Sequence, residues 1–165
     1  MLFRSDGLIS LREAFNLLNT HKTFYGETTI TFDASLSGKT ITLSSKLGAV
    51  TTGMTINGDI DGDGNADITI DGGGKYRFFD VSTADVTLTL NGLILQNGYS
   101  ETAAKTAGGV INLTAAGVTV NLTNSTVTGS KNTAHAAVFY ISAAGTTVNM
   151  TDSAQIGRAS CRERV

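Results

Sequence analysis

Three stretches of the sequence align with one another without gaps: FFDVSTADVTLTLNGLIL at residues 78–95, VINLTAAGVTVNLTNSTV at 110–127 and VFYISAAGTTVNMTDSAQ at 138–155. The offsets between successive stretches are 32 and then 28 residues. Repeats of this length are typical of solenoids, in which each unit buries its apolar side chains only against neighbouring units. This repeat is therefore the feature that decides the fold.

Apolar residues recur at four positions of the aligned units. The four columns are Phe79, Ile111 and Phe139; Val81, Leu113 and Ile141; Leu88, Val120 and Val148; and Leu90, Leu122 and Met150. Within each unit these residues alternate with polar ones, and a period of two sends successive side chains of a strand to opposite faces. Equivalent residues would stack ~4.8 Å apart on successive coils. The pattern predicts a parallel β-helix.

Upstream of the repeat, the short β-branched segments TITFD, TITLS, MTING and DITID predict further strands. Two rival all-β architectures fit less well. A β-sandwich would show hairpin signals between its strands. A propeller blade is usually longer, at about 40 residues. We therefore expect an all-β solenoid that begins well before residue 78.

One helix is predicted near the start, in SLREAFNLLNT. Ser10 can cap the first turn, and Glu13 completes a capping box three residues later. Four residues then form a single apolar stripe: Leu11, Ala14, Phe15 and Leu18. We expect an N-terminal cap over residues 1–27, with the coils of the β-helix over 28–155.

The last ten residues, IGRASCRERV at 156–165, differ in composition from the rest of the chain. They contain three arginines and the only cysteine, and all ten residues match one reading frame of a common sequencing adapter. We interpret them as a sequencing-adapter scar and exclude them from fold reasoning. The expectation that follows is an N-terminal fragment of a longer natural protein.

Charge and hydropathy exclude some classes of function. Without the three Arg and one Glu of the tail, the formal net charge changes from −2 to −4. Nucleic-acid binding requires a basic face, so no nucleic-acid partner is expected. No apolar run approaches the ~20 residues of a transmembrane helix, and no export signal is visible at the N-terminus.

An aspartate-rich stretch, GDIDGDGNADITIDG at 58–72, suggests a calcium loop. It follows the pattern D-x-D-x-D-G-x-x-D of EF-hand loops, with the backbone carbonyl of the seventh position as a further ligand. The candidate ligands are Asp59, Asp61, Asp63, Asn65 and Asp67. Extracellular calcium would fill even a site of ~10⁻⁴–10⁻³ M affinity.

The same stretch departs from the EF-hand pattern at position 12, where Ile70 replaces the bidentate glutamate. Asp71 is a distant candidate that would require a shift of the backbone. The alternative is a solvated turn between two strands, since Asp and Gly favour turns without any metal. Both interpretations place the stretch between successive strands.

Evidence for catalysis is weak in the sequence. The aligned columns place Asp80 over Asn112 and Tyr140, Asp85 over Gly117 and Gly145, and Asp152 over Asn124 and Gly92. No column of the repeat therefore brings two acids together for paired-carboxylate hydrolysis. His21 and His135 have no metal-ligand spacing. Lys75 and Arg77 lie close to Asp80 in the sequence and could form a small polar cluster with it, but we expect this group to be solvated surface. The sequence thus favours a non-catalytic protein and assigns no catalytic residue.

Four segments together resemble a known family: ISLREAFNLLN, TITFDASLSGKTITL, MTINGDIDGDGNADITIDG and GLILQNG. They resemble bacterial surface β-helix proteins that carry an N-terminal SLREA motif (the CSLREA domain), and they are similar to polymorphic outer membrane proteins and adhesins. The resemblance implies a right-handed, pectin-lyase-like parallel β-helix capped by the SLREA segment. It also implies a secreted, cell-surface or outer-membrane location. Ile9 stands where this family often has Cys or Gly.

The expected function is display of a lateral binding surface toward a carbohydrate or protein ligand, with calcium as the only expected cofactor. Loops 99–107 and 131–135 differ between the units and are expected to contact that ligand. The alternative is a polysaccharide lyase or glycoside hydrolase of the same fold, with its active site in a C-terminal part beyond this sequence.

Overall fold

The computed structural model describes residues 2–3, 9–20, 28–100, 110–132 and 138–156. Every strand pair within these ranges is parallel, and the strands stack in successive coils. The architecture is a parallel β-helix with one short N-terminal helix, which confirms the predicted fold class. Most of the two loops that were expected to contact a ligand, namely residues 101–107 and 133–135, lies outside the described residues, as do His21 and His135.

Three sheets form the walls of the solenoid. Sheet A contains β1 (Leu2–Phe3), β2 (Thr29–Phe32), β5 (Met54–Asn57), β8 (Thr87–Asn91), β12 (Thr119–Thr123) and β16 (Thr147–Thr151). Sheet B contains β3 (Thr40–Thr42), β6 (Ile68–Asp71), β9 (Leu93–Gln96), β13 (Thr126–Thr128) and β17 (Ala154–Ile156). Sheet C contains β4 (Ala49–Val50), β7 (Phe79–Val81), β11 (Ile111–Leu113) and β15 (Phe139–Ile141).

Two further strands, β10 (Tyr99–Ser100) and β14 (Lys131–Asn132), pair beside the three sheets. A 3₁₀ turn, Ala34–Leu36, follows β2. The two-residue strands β1, β4, β10 and β14 were not predicted, because two residues are too few to show an alternating pattern.

The register of the sheets matches the predicted columns. Ile111 pairs with Phe79 on one side and with Phe139 on the other. Leu122 pairs with Leu90 and Met150 in the same way. Equivalent residues of successive coils form continuous stacks, which are buried up to the last described coil, where Ile141 and Met150 are exposed. The stacks bury apolar surface that no single coil could bury alone.

A recurring tight turn joins sheet C to sheet A on each coil of the repeat. Its last residue is Asp85, Gly117 or Gly145, with φ of 58°, 70° and 71° respectively. Glycine adopts this left-handed conformation without steric cost, and aspartate tolerates it better than most residues. The column of Asp85 over two glycines therefore reflects the geometry of a turn.

The helix α1 spans Leu11–Thr20 and covers the N-terminal end of the core. The backbone N–H of Ser10 donates to Glu13 Oε2 at 2.7 Å, and the Glu13 N–H donates to Ser10 Oγ at 3.3 Å. This is the predicted capping box, and it lowers the pKa of Glu13 through the hydrogen bonds from Ser10. All four residues of the predicted apolar stripe are buried, and the Phe15 ring packs 6.2 Å from that of Phe79.

Hydrogen bonds from Arg12 attach this helix to the first coil. Its guanidinium donates to the backbone carbonyl of Ser45 at 2.7 Å and to that of Lys46. The planar group suits this contact because it can donate in two directions at once. Each residue of the SLREA segment thus has a structural role: capping, burial or attachment to the loop that precedes β4.

Candidate metal centre

The aspartate-rich loop is an enlarged corner between sheets A and B. Asn57 pairs with Asn91 before the corner, and Ile68 pairs with Leu93 after it. On the later coil, Gly92 alone makes this corner, whereas the earlier coil carries Gly58 followed by the nine residues 59–67. The prediction that the stretch lies between successive strands is confirmed.

Two glycines fix the position of the loop. A β-carbon on Gly58 would lie 2.5 Å from the Gly92 carbonyl oxygen, and one on Gly92 would lie 2.4 Å from the Asp59 nitrogen. Only glycine permits this close approach of the two corners. Asp59 consequently begins the loop directly against the next coil.

Asp67 closes the base of the loop. Its backbone N–H donates to Gly58 at 3.2 Å, and its Oδ2 accepts from the Ile60 N–H at 2.8 Å. Its Oδ1 accepts from the Ser37 hydroxyl at 3.0 Å. The sequence analysis did not identify Ser37, because nothing in its local pattern links it to a loop thirty residues later.

Three carboxylates converge inside this loop. One oxygen from each of Asp59, Asp61 and Asp67 lies within 4.8 Å of the others. Two ligands on opposite sides of one calcium ion, each at ~2.4 Å, are themselves ~4.8 Å apart. The three oxygens therefore fit around a single cation of this size.

The carboxylate of Asp59 also orders the loop backbone. Its Oδ1 accepts from the Gly62 N–H at 2.8 Å, and its Oδ2 accepts from the Gly64 N–H at 3.2 Å. Each carboxylate oxygen has two acceptor positions, so these bonds leave capacity for a cation. The loop conformation is thus held by local hydrogen bonds, as the solvated-turn interpretation also requires.

Asp63 is not a member of the convergent carboxylate group. The Asp63 carboxylate accepts from the Asn65 side chain at 2.7 Å and from the Asn65 backbone N–H at 2.8 Å. These bonds lower the pKa of Asp63. Of the four candidate aspartates, the loop therefore brings three together, and the fourth, Asp63, pairs with Asn65.

Asp71, the distant candidate, lies at the end of β6 and contacts the next coil. Burial raises the pKa of its carboxyl, but hydrogen bonds from Gly73, Asn97 and Gln96 outweigh that effect, and the net pKa is lowered. The Gly73 N–H and the Gln96 amide donate to it at 2.7 and 2.9 Å. Asp71 thus links two coils.

The expectation of a solvated Lys75, Arg77 and Asp80 group is wrong for Arg77, which is only 6% exposed. Its guanidinium forms an ion pair with Asp80 at 2.5 Å. The reason is that Arg77 precedes the buried Phe78, where the chain enters sheet C. Asp80 also accepts from the Asn112 amide at 2.9 Å, so the predicted column of Asp80 over Asn112 is present as a hydrogen-bonded pair.

Sheet A has six strands, more than any other described sheet, and its outer face carries a regular set of side chains. We call it the threonine–asparagine face. Its residues are Thr29, Thr31, Thr55, Asn57, Thr87, Thr89, Asn91, Thr119, Asn121, Thr123, Thr147, Asn149 and Thr151. No member of this set carries a charge. The sequence analysis did not single it out, because the face is visible only once the coils are in register.

Hydrogen bonds between coils hold the side chains of this face. The Asn91 amide donates to Asn57 Oδ1 at 2.8 Å, and the Asn149 amide donates to Asn121 Oδ1 at 2.9 Å. Neighbouring positions are ~4.8 Å apart across the strands and ~6.6 Å apart along them. The result is a regular array of hydroxyl and amide groups on one side of the solenoid.

Comparison with protein-family models, curated proteins and solved structures finds no match to this chain. Within the described ranges, no helix has the length and apolar character needed to cross a membrane.

Proposed function

We propose that this chain is part of a secreted or surface-displayed bacterial β-helix protein that binds a partner along its side, as an adhesin does. The observation that carries the proposal is the threonine–asparagine face. Its side chains are uncharged and regularly spaced, and hydrogen bonds between coils hold them in position. A surface ordered before binding loses less conformational entropy when a ligand arrives.

The chemistry of this face favours a neutral carbohydrate over a charged partner. Hydroxyl and amide groups can donate and accept hydrogen bonds with sugar hydroxyls. None of its thirteen residues carries a charge, so the face offers no cationic side chain to pair with a polyanion. The repeat along the solenoid also suits a polymer, because each coil can contact a further part of the same chain. A protein ligand is the other partner considered.

The test is binding to an array of immobilised neutral polysaccharides. The wild-type protein should bind at least one of them, and Asn121→Glu should reduce that binding at least tenfold. Thr126→Glu provides the matched control, because Thr126 lies on the outer face of sheet B in the same coil. Equal loss in both variants, or no binding to any of the polysaccharides, would contradict the proposal of a carbohydrate ligand. Shortening of the bound polysaccharide would favour the lyase or hydrolase alternative.

The family proposal rests on the SLREA segment. In this interpretation the chain is similar to CSLREA-type and polymorphic outer membrane proteins, and its location is extracellular. What supports it is that Ser10, Arg12 and Glu13 have the capping and attachment roles described above.

We further propose that the aspartate loop binds calcium through Asp59, Asp61 and Asp67. The support is the mutual approach of their oxygens. The ion would offset the repulsion among three carboxylates and stiffen the corner beside sheet A.

A further inference from the structure

Three Asn-Gly pairs lie in the described part of the chain: Asn57–Gly58, Asn91–Gly92 and Asn97–Gly98. Asparagine is least stable chemically in this dipeptide, because glycine has no side chain to shield its backbone nitrogen. That nitrogen attacks the side-chain carbonyl carbon of the asparagine and closes a five-membered succinimide ring, and the side-chain amide nitrogen takes up the displaced proton and leaves as ammonia. Water then opens the ring to give aspartate or isoaspartate.

Two of these pairs are protected by sheet A. Asn57 and Asn91 are the last residues of β5 and β8, and they pair with each other across the sheet. The N–H of Gly58 donates to the Asn91 carbonyl at 2.7 Å. The N–H of Gly92 donates to the Thr123 carbonyl at 3.0 Å. Each nitrogen would have to give up a hydrogen bond of the sheet before it could attack the neighbouring side chain.

The third pair, Asn97–Gly98, lies between strands, after the end of β9 and before β10. Asn97 is exposed, and its backbone has the left-handed φ of 54°. Among the described residues, no acceptor is found for the Gly98 N–H. The attacking nitrogen is therefore held back by no hydrogen bond of a sheet, in contrast to those of the two other pairs.

The side chain of Asn97 links two coils. Its amide donates to the two carboxylate oxygens of Asp71, on the preceding coil, at 3.2 and 3.3 Å. Conversion to aspartate replaces this donor by a second carboxylate, and like charges at this distance repel. Isoaspartate also lengthens the backbone by one methylene group, at a residue whose N–H donates to the Thr128 carbonyl and whose carbonyl accepts from the Gly74 N–H. Either product removes contacts that the unmodified corner makes.

We propose that Asn97 is a site of spontaneous deamidation, and that its conversion to aspartate or isoaspartate loosens the corner between β9 and β10. The reaction consumes only water and releases only ammonia, so it requires no enzyme and no cofactor. The folded structure directs it to one of three chemically similar sites. The protein therefore changes with age at Asn97, while Asn57 and Asn91 keep their amides.

Peptide mapping by mass spectrometry, on the full chain aged in mildly alkaline buffer, tests the choice of site. Asn97 should be converted at least tenfold faster than Asn57 or Asn91 in the folded protein. The same chain in concentrated urea is the control, and there the three rates should become similar, because only the fold distinguishes the sites. Equal rates in the folded protein, or faster conversion of Asn57 or Asn91, would overturn the proposal.

The Asn97→Asp variant tests the structural consequence, since it carries one of the two products from the start. Asp85 and Asp152 also adopt a positive φ, so the variant should still fold, as circular dichroism would show. Its melting temperature should lie several degrees below that of the fresh wild type. Adding Asp71→Asn should recover part of this loss, because one amide then faces one carboxylate again. A melting temperature equal to that of the wild type would contradict the loosening of the corner, and so would the absence of any recovery.

Discussion

At the scale of single residues, the aspartate loop combines two roles in the same side chains. Asp59 and Asp67 shape the loop through hydrogen bonds from its own backbone, and the same carboxylates lie beside Asp61. Sequence spacing identified the acidic residues but not which of them converge. Which aspartates converge follows from the folded loop, in which Asp59 and Asp67 accept hydrogen bonds from backbone N–H groups of the loop.

The calcium proposal predicts different behaviour for two neighbouring aspartates. Calcium at millimolar concentration should raise the melting temperature of the wild type by several degrees relative to chelator, since a ligand that binds only the folded state stabilises it. Asp61→Asn should abolish this rise, because Asp61 belongs to the convergent group. Asp63→Asn removes the same charge from a residue outside that group and should retain most of the rise. The measurement is thermal unfolding followed by circular dichroism.

An unchanged melting temperature of the wild type, with and without chelator, would contradict the calcium proposal. So would equal behaviour of the two variants, because a general effect of loop charge would not distinguish Asp61 from Asp63. The loop would then be a turn that its own hydrogen bonds hold in place.

At the scale of elements, the helix α1 could be predicted from its capping box and apolar stripe, and the structure confirms both. The attachment by Arg12 could not be predicted. Its acceptors are backbone carbonyls 33 and 34 residues later, and a carbonyl group leaves no signature in the sequence. Short strands such as β4 could not be predicted for a related reason. Only their pairing with a neighbouring coil identifies them as strands.

Arg12→Ala should lower the free energy of unfolding by about 1–3 kcal/mol, because it removes two charge-assisted hydrogen bonds between α1 and the first coil. Arg12→Lys should recover only part of this loss, since an ammonium group cannot reproduce the planar fork. Urea unfolding followed by circular dichroism gives both values. A loss below about 0.5 kcal/mol, typical of a surface substitution, would show that the contact does not hold the helix in place.

At the scale of the whole molecule, the repeat determines the architecture. A gapless alignment of three units was sufficient to predict the columns, because side chains one coil apart must match in polarity to share a continuous core. The same argument did not reveal the threonine–asparagine face, because that face is a property of the assembled coils.

The central claim is that equivalent residues of successive coils lie directly against one another. A sample with labelled isoleucine methyl groups and labelled phenylalanine rings would test it by nuclear Overhauser spectroscopy. Ile111 should show cross-peaks to both Phe79 and Phe139, its partners on the two adjacent strands. If Ile111 shows cross-peaks to neither ring while the protein is folded, the coils are not stacked in this register and the account is wrong.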